Sequence, residues 1–215
     1  YVDRKPMVRI GLVQWQMRAY HTIDDVFEQV EFFVDAVSDY KSDFILFPEY
    51  FNAPLMAKYN DMGEAQSIRA LAQYTEQMRD RFVDLAISYN INIITGSMPY
   101  VKPDGSLYNV GFLCRRDGSY DMYEKIHVTP DEVKSWGLSG GNLVQTFDTD
   151  CAKIGILICY DVEFPELPRL MAAEGMPGGI HIVFEHMDRG AGSLDGAQTT
   201  LGVQGKIPHH QFAGR

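Results

Sequence analysis

Residues 153–174, KIGILICYDVEFPELPRLMAAE, read as a strand, a cysteine and a helix in that order. Lys153 to Ile158 is an apolar run of strand length. Phe164 to Glu174 has helical character, and Gly175 is placed as its stop. Working upstream, Val144 to Phe147 is another strand. Tyr108 to Arg115 is a strand bracketed by the turn dipeptides Asp104-Gly105 and Asp117-Gly118, and Ser119 to Tyr123 pairs after the second turn. Ile91 to Met98 reads as a strand, Ser67 to Tyr89 as one long helix, and Phe44 to Phe47 as a short apolar run ended by Pro48, which cannot donate to a ladder. Thr22-Ile23-Asp24-Asp25 opens a helix whose Val26, Val30, Phe33, Val34 and Val37 form one apolar face. Val8 to Gln14 is a buried strand. Strands and helices mix throughout, so the fold class is α/β or α+β with layered packing.

Downstream, the chain changes in kind. Residues 177–215 hold eight of the nineteen glycines and four of the six histidines but only two aromatics, Phe184 and Phe212. Acidic and basic residues balance there, and only Ile180 to Phe184 has strand character. We therefore divide the chain into a domain over residues 1–176 and a divergent Gly/His-rich tail over 177–215. The tail is expected to pack poorly outside that strand, because glycine raises the entropy cost of ordering.

The composition narrows the function classes. With 215 residues, 24.4 kDa, 46% apolar and 22% charged residues, the chain is globular and neither disordered, collagenous nor coiled coil. It has no apolar run long enough to span a bilayer and no secretion signal at its start. It begins at Tyr1 rather than Met, as an excerpt of a longer chain would. The net charge of -10, with no basic stripe, argues against nucleic acid and for a small molecule or a protein as partner. Three cysteines without CxxC spacing argue against a disulfide framework or a zinc knuckle, and for a reducing, cytoplasmic location.

Three candidate functional residues each follow the end of an expected strand, where layered proteins expose functional groups. Glu49 follows ILFP, Lys125 follows SYDMYE and Cys159 follows KIGILI. A carboxylate, an ammonium and a thiol delivered this way suggest nucleophilic catalysis at carbon: the acid accepts the thiol proton and the ammonium stabilises an oxyanion. Each has a blander reading, as a cap for Glu49, a solvated loop lysine for Lys125 and a small buried hydrophobe for Cys159. Cys114, inside a strand, and Cys151, in an Asp-Cys turn, are read as structural. His127 is a candidate base for Cys159, and the other histidines show no metal spacing.

The words around these residues, FPEYF at 47–51, YEKIHVTPDE at 123–132 and GILICYDVEFPELPRL at 155–170, resemble the three signatures of the nitrilase superfamily, the carbon–nitrogen hydrolases. The Tyr108-Asn109 pair is similar to that family as well. The resemblance runs from about Val8 to Met176 and is closest to a branch often joined to an N-terminal acetyltransferase-type domain. It implies a four-layer α-β-β-α sandwich, incomplete here at the C-terminal end. It also implies a Glu-Lys-Cys triad: Glu49 as general base, Lys125 beside the tetrahedral intermediate and Cys159 as nucleophile on a tight turn. The Tyr160 N–H would be a second oxyanion donor and Glu132 would position substrate, while Asp161 and Arg169 would hold the turn. A neighbouring ammonium is expected to raise the thiolate fraction of Cys159. The implied activity is hydrolysis of a small amide or carbamoyl compound through a cysteine thioester, with water as co-substrate, no metal or organic cofactor, and pairing into a homo-oligomer, a two-fold dimer. The alternative is a catalytically inactive or truncated chain of the same ancestry that binds a partner.

Overall fold

The computed structural model describes residues 7–174 in full, and 180–187 and 197–202 as backbone. In chain order the elements are β1 (Ile10–Leu12), α1 (Ile23–Asp39), β2 (Phe44–Leu46), α2 (Glu64–Leu71), α3 (Thr75–Ser88), β3 (Asn92–Ile94), β4 (Met98–Val101), β5 (Leu107–Cys114), β6 (Tyr120–Glu124), β7 (Leu138–Ser139), β8 (Thr146–Asp148), β9 (Lys153–Ile158), α4 (Glu166–Ala173), β10 (Ile180–Met187) and β11 (Ala197–Gly202). Seven strands make one sheet, β1-β2-β3-β5-β4 with β6 and β7 also paired to β5, and the other four make a second in the order β11-β10-β9-β8.

Side-chain alternation explains why these sheets stack. Phe44 and Leu46 of β2 point to one face and join Ile94, Leu113, Tyr123, Phe147, Ile154, Ile156 and Ile158 in a core between the sheets. Ile45, Ile93, Phe112 and Cys114 point to the other face, against Val26, Val30 and Val34 of α1 and Met78, Phe82 and Ala86 of α3. Leu157 of β9 faces outward onto Leu167 and Met171 of α4. The result is helix, sheet, sheet, helix, as the resemblance implied. No described helix is long and apolar enough to cross a membrane.

Local signals act where expected at the first helix. Thr22 accepts from the Asp25 N–H while Asp25 accepts from the Thr22 N–H, a reciprocal cap that sets the start of α1. Elsewhere the structure divides elements that the periodicity joins. The expected helix 67–89 is two, α2 and α3, separated by a 3₁₀ turn over Ala72–Tyr74. That turn is tied to a neighbouring segment: the Tyr74 and Tyr59 hydroxyls lie 2.8 Å apart, and Gln73 Nε2 donates to the Tyr59 hydroxyl at 2.6 Å. The expected strand 91–98 breaks into β3 and β4 at Gly96, whose φ is +76°. A Cβ there would strike the Pro48 carbonyl oxygen, so only glycine lets this bend close onto the segment that carries Glu49.

The strand expected at 180–184 is present as β10, parallel to β9. The antiparallel β11 has no counterpart in the sequence reading. Its sequence, AQTTLG, lacks alternation, and its pairing rests on the backbone ladder. The remainder of the expected tail lies outside the described residues.

Candidate active site

Glu49 leaves β2 through Pro48 and is 1% exposed. It forms a parallel bridge with Ser97, and the Tyr50 N–H donates to the Ser97 carbonyl oxygen at 2.9 Å. Lys125 follows the last residue of β6, with its N–H on the Asn109 carbonyl oxygen at 2.9 Å. The two side chains meet across 76 residues of sequence: Lys125 Nζ donates to Glu49 Oε1 at 2.9 Å. Asn109 Nδ2, from β5, donates to the same oxygen at 2.8 Å.

Glu132 closes the other side of the ammonium. Lys125 Nζ donates to both its oxygens at 2.9 Å. The Thr129 N–H donates to Glu132 Oε2 at 2.7 Å and the Glu132 N–H to Thr129 Oγ1 at 3.3 Å, so a local cap orients the carboxylate. Lys125 is 1% exposed between these two acids. Burial alone would lower its pKa, but Glu49, Glu132 and Cys159 outweigh this and hold it above the ordinary lysine value. The lysine is therefore charged at neutral pH.

Cys159 sits where β9 ends and a 3₁₀ turn, Cys159–Glu163, begins. Its φ is +49°, a conformation rare for a residue with a Cβ, which turns the side chain out of the strand. It is half-buried, whereas Cys114 and Cys151 are buried. Burial, together with the charge of Glu49 and a hydrogen bond to it, pushes the thiol up to about 12 against the opposing pull of Lys125. This corrects the expectation of an enriched thiolate. One ammonium shared by two carboxylates does not ionise a desolvated thiol, so the resting sulfur is protonated.

The turn itself is pinned by Asp161. Its carboxylate accepts from the N–H groups of Ile126 (3.3 Å), His127 (2.7 Å) and Ile158 (3.3 Å). One acid thus joins the Cys159 turn to the segment that carries Lys125. Burial still pushes its carboxyl above the usual range, against those hydrogen bonds. His127 Nδ1 is 3.0 Å from Asp161, and its ring stacks on Phe164 with centroids 3.6 Å apart. The candidate base His127 is thus engaged by Asp161 and Phe164. Of the two residues expected to hold the turn, Asp161 does so, while Arg169 is exposed on α4. Tyr160 follows the thiol in the turn, its ring edge-on to Phe164 with centroids 5.1 Å apart.

The fold thus brings Glu49, Lys125, Glu132 and Cys159 together. The sequence reading gave no role to Asn109, whose signal was its place in the Tyr108-Asn109 pair. It also passed over Tyr50 and Trp136, which carried no signal of their own. Among the described residues no group of three or more His, Cys, Asp or Glu is placed to hold a metal ion.

A thiol, a buried ammonium and two carboxylates gathered at strand ends of a layered sandwich are a set of groups suited to hydrolase chemistry. The chain belongs to the carbon–nitrogen hydrolase family, whose model matches residues 9–207, past the point at which the motif resemblance ends. It is 45% identical over 168 residues to the probable hydrolase YhcX of Bacillus subtilis, covering 78% of this chain and 33% of that protein. It is 30% identical over 179 residues to human omega-amidase NIT2, covering 78% of this chain and 60% of the relative. The chain therefore spans between a third and three-fifths of these relatives' length. Among solved structures it superposes with TM-score 0.72 and 17% identity on a variant of the amidase from Nesterenkonia sp. AN1, over 94% of this chain and 85% of that one. That structure carries the acetamide moiety of fluoroacetamide covalently added at its active-site cysteine.

Proposed function

We propose that this chain hydrolyses the C–N bond of a small carboxamide or carbamoyl compound through a thioester on Cys159. The observation that carries the reading is the Lys125 ammonium, 1% exposed and held at 2.9 Å by two separate carboxylates next to a thiol on a left-handed turn. Burying three charged groups together is costly, and a fold that needed only stability would fill the space with apolar side chains.

Because the resting thiol is protonated, Glu49 takes its proton as sulfur attacks the carboxamide carbon. The S–C bond forms, and the carbonyl electron pair moves to oxygen. Lys125 Nζ and the Tyr160 N–H stabilise that oxyanion. The first N–H groups of a helical turn have no partner inside it, which suits Tyr160 to the role. Collapse of the intermediate breaks the C–N bond, and the proton on Glu49 passes to the departing nitrogen, releasing ammonia or an amine. Water then gives a proton to Glu49 and attacks the thioester. The acid leaves and sulfur recovers the proton. Glu132, locked by Thr129 and Lys125, positions the substrate amide. The covalent adduct on the Nesterenkonia amidase cysteine and the omega-amidase activity named for the human relative support amides as the substrate class.

The test is ammonia release from a panel of simple amides, with Cys159→Ala as the blank. Release by the native chain alone is expected. Equal rates for both proteins would remove Cys159 from the reaction.

A further inference from the structure

Tyr50 follows Glu49 in the chain and is locked in the left-handed region at φ +50°. Its N–H is tied to Ser97, the residue that also bridges Glu49, so the two neighbours are set by the same contacts. The residue is 6% exposed, with its ring edge-on to Trp136 and centroids 5.5 Å apart. At the end of that clamped ring, the hydroxyl is buried and has no hydrogen-bond partner among the described residues.

The surroundings of this hydroxyl are those of the active site. Burial and then the charges of Glu49, Glu132 and Cys159 act on it and push it well above the ordinary tyrosine value, so it keeps its proton. The nearby carboxylates are already engaged. Glu49 Oε1 accepts from Lys125 and Asn109, and the Glu132 oxygens accept from Lys125 and the Thr129 N–H. A buried hydroxyl is normally paired, and an orphan beside a reacting group is a donor awaiting an acceptor. In the proposed reaction the scissile oxygen is served by Lys125 and Tyr160. The amide nitrogen brings hydrogens, which suit carboxylates. What remains for a phenol proton is an oxygen on the acyl side. A third negative charge among two carboxylates and one ammonium would be repelled, so that oxygen is uncharged.

We infer that Tyr50 is a substrate-positioning residue whose hydroxyl donates to an uncharged hydroxyl or carbonyl oxygen on the carbon beside the scissile carboxamide, so that the site favours such amides over their alkyl isosteres. The inference rests on the amide-hydrolase reading for the identity of the scissile group. Sites that pair a substrate hydroxyl discriminate against the analogue lacking it, because their own polar group is then left bare.

Lactamide and isobutyramide, which differ by OH against CH₃, test this in two arms. In the first, kcat/KM is measured for both amides on the native chain and on Tyr50→Phe. Lactamide should be preferred by roughly tenfold or more, and Tyr50→Phe should bring the ratio close to one, with lactamide losing more kcat/KM than isobutyramide. In the second, ligand-observed NMR measures binding of both amides to Cys159→Ala with and without Tyr50→Phe, and the same loss of preference is expected. A ratio unchanged by the substitution, equal loss for both amides, or binding of neither would overturn the assignment. A binding preference that Tyr50→Phe abolishes, without ammonia release from any amide, would sustain Tyr50 and remove the hydrolase reading. Should Tyr50→Phe not fold, the native and Cys159→Ala proteins decide alone, and equal treatment of the two amides refutes the inference.

Discussion

Lys125 governs the electrostatics of the site, because two buried carboxylates depend on one ammonium. Its removal and the removal of Glu49 are therefore not equivalent experiments. Glu49→Gln keeps volume and hydrogen-bonding capacity, and leaves Lys125 paired with Glu132. It should lower turnover by about 10²–10⁴-fold with little change in stability. Lys125→Met strands both acids and should cost about 3–5 kcal/mol of stability besides turnover. Urea unfolding beside ammonia release separates the two, and a Lys125→Met protein as stable as the native chain would contradict the buried network. The thiols make a second case. Cys114 and Cys159 are both pushed up to about 12 from 9.0, so thiolate fraction does not distinguish them, but exposure does. Brief iodoacetamide treatment with peptide mapping should label Cys159 first, at a rate that keeps rising with pH beyond 9. Equal labelling of all three thiols would remove that distinction. Above pH 9 the unfolded chain loses thiol protons that the native chain keeps, so stability should fall as pH rises from there toward 12. A urea midpoint that holds or rises over that range would count against the buried, protonated thiols.

At the scale of elements, two devices set the geometry. The Asp161 carboxylate binds the end of β9 to the segment after β6, and so fixes the thiol relative to the ammonium. Asp161→Ala leaves three N–H groups without that acceptor and should destabilise the fold by at least about 2 kcal/mol. Turnover should fall with it, and Asp161→Asn, which keeps an acceptor, should lose less of both. An Asp161→Ala chain with native turnover would show that the turn holds itself. Gly96 is the other device. Gly96→Ala would press on the Pro48 carbonyl next to Glu49, whereas Gly105→Ala adds a Cβ at φ +82° into open space. Both should destabilise, Gly105→Ala by about 1–2 kcal/mol, but only Gly96→Ala should depress kcat. Equal kcat in the two variants would separate Gly96 from the placement of Glu49.

For the whole molecule, the described surface leaves Met7, Phe32, Tyr40, Leu143 and Leu170 more than half exposed. The family resemblance leads us to expect a dimer, and closed two-fold pairing is the commonest way for a chain to meet itself. Light scattering across micromolar concentrations should find a mass of twice 24.4 kDa. A single 24 kDa species throughout would refute the dimer.

Local chemistry made much of this protein legible from its sequence. Thr22 and Asp25 announce a capped helix, Lys153 to Ile158 a strand, and the ordered words around Glu49, Lys125 and Cys159 the family. These features depend on residues close together in the chain, where propensity, capping and side-chain period act. What the tertiary structure decided lies between distant segments. Nothing local shows that Gln73 and Tyr74 will reach Tyr59 and break a helix, or that AQTTLG will pair with β10. Nor does adjacency to Glu49 reveal that the Tyr50 hydroxyl will find no partner among the described residues. The thiol is the sharpest instance: the ammonium expected beside it suggested an activated sulfur, yet burial next to two carboxylates keeps it protonated. Desolvation and charge coupling depend on what folding brings within a few ångströms, and that distance is set in space, not along the chain.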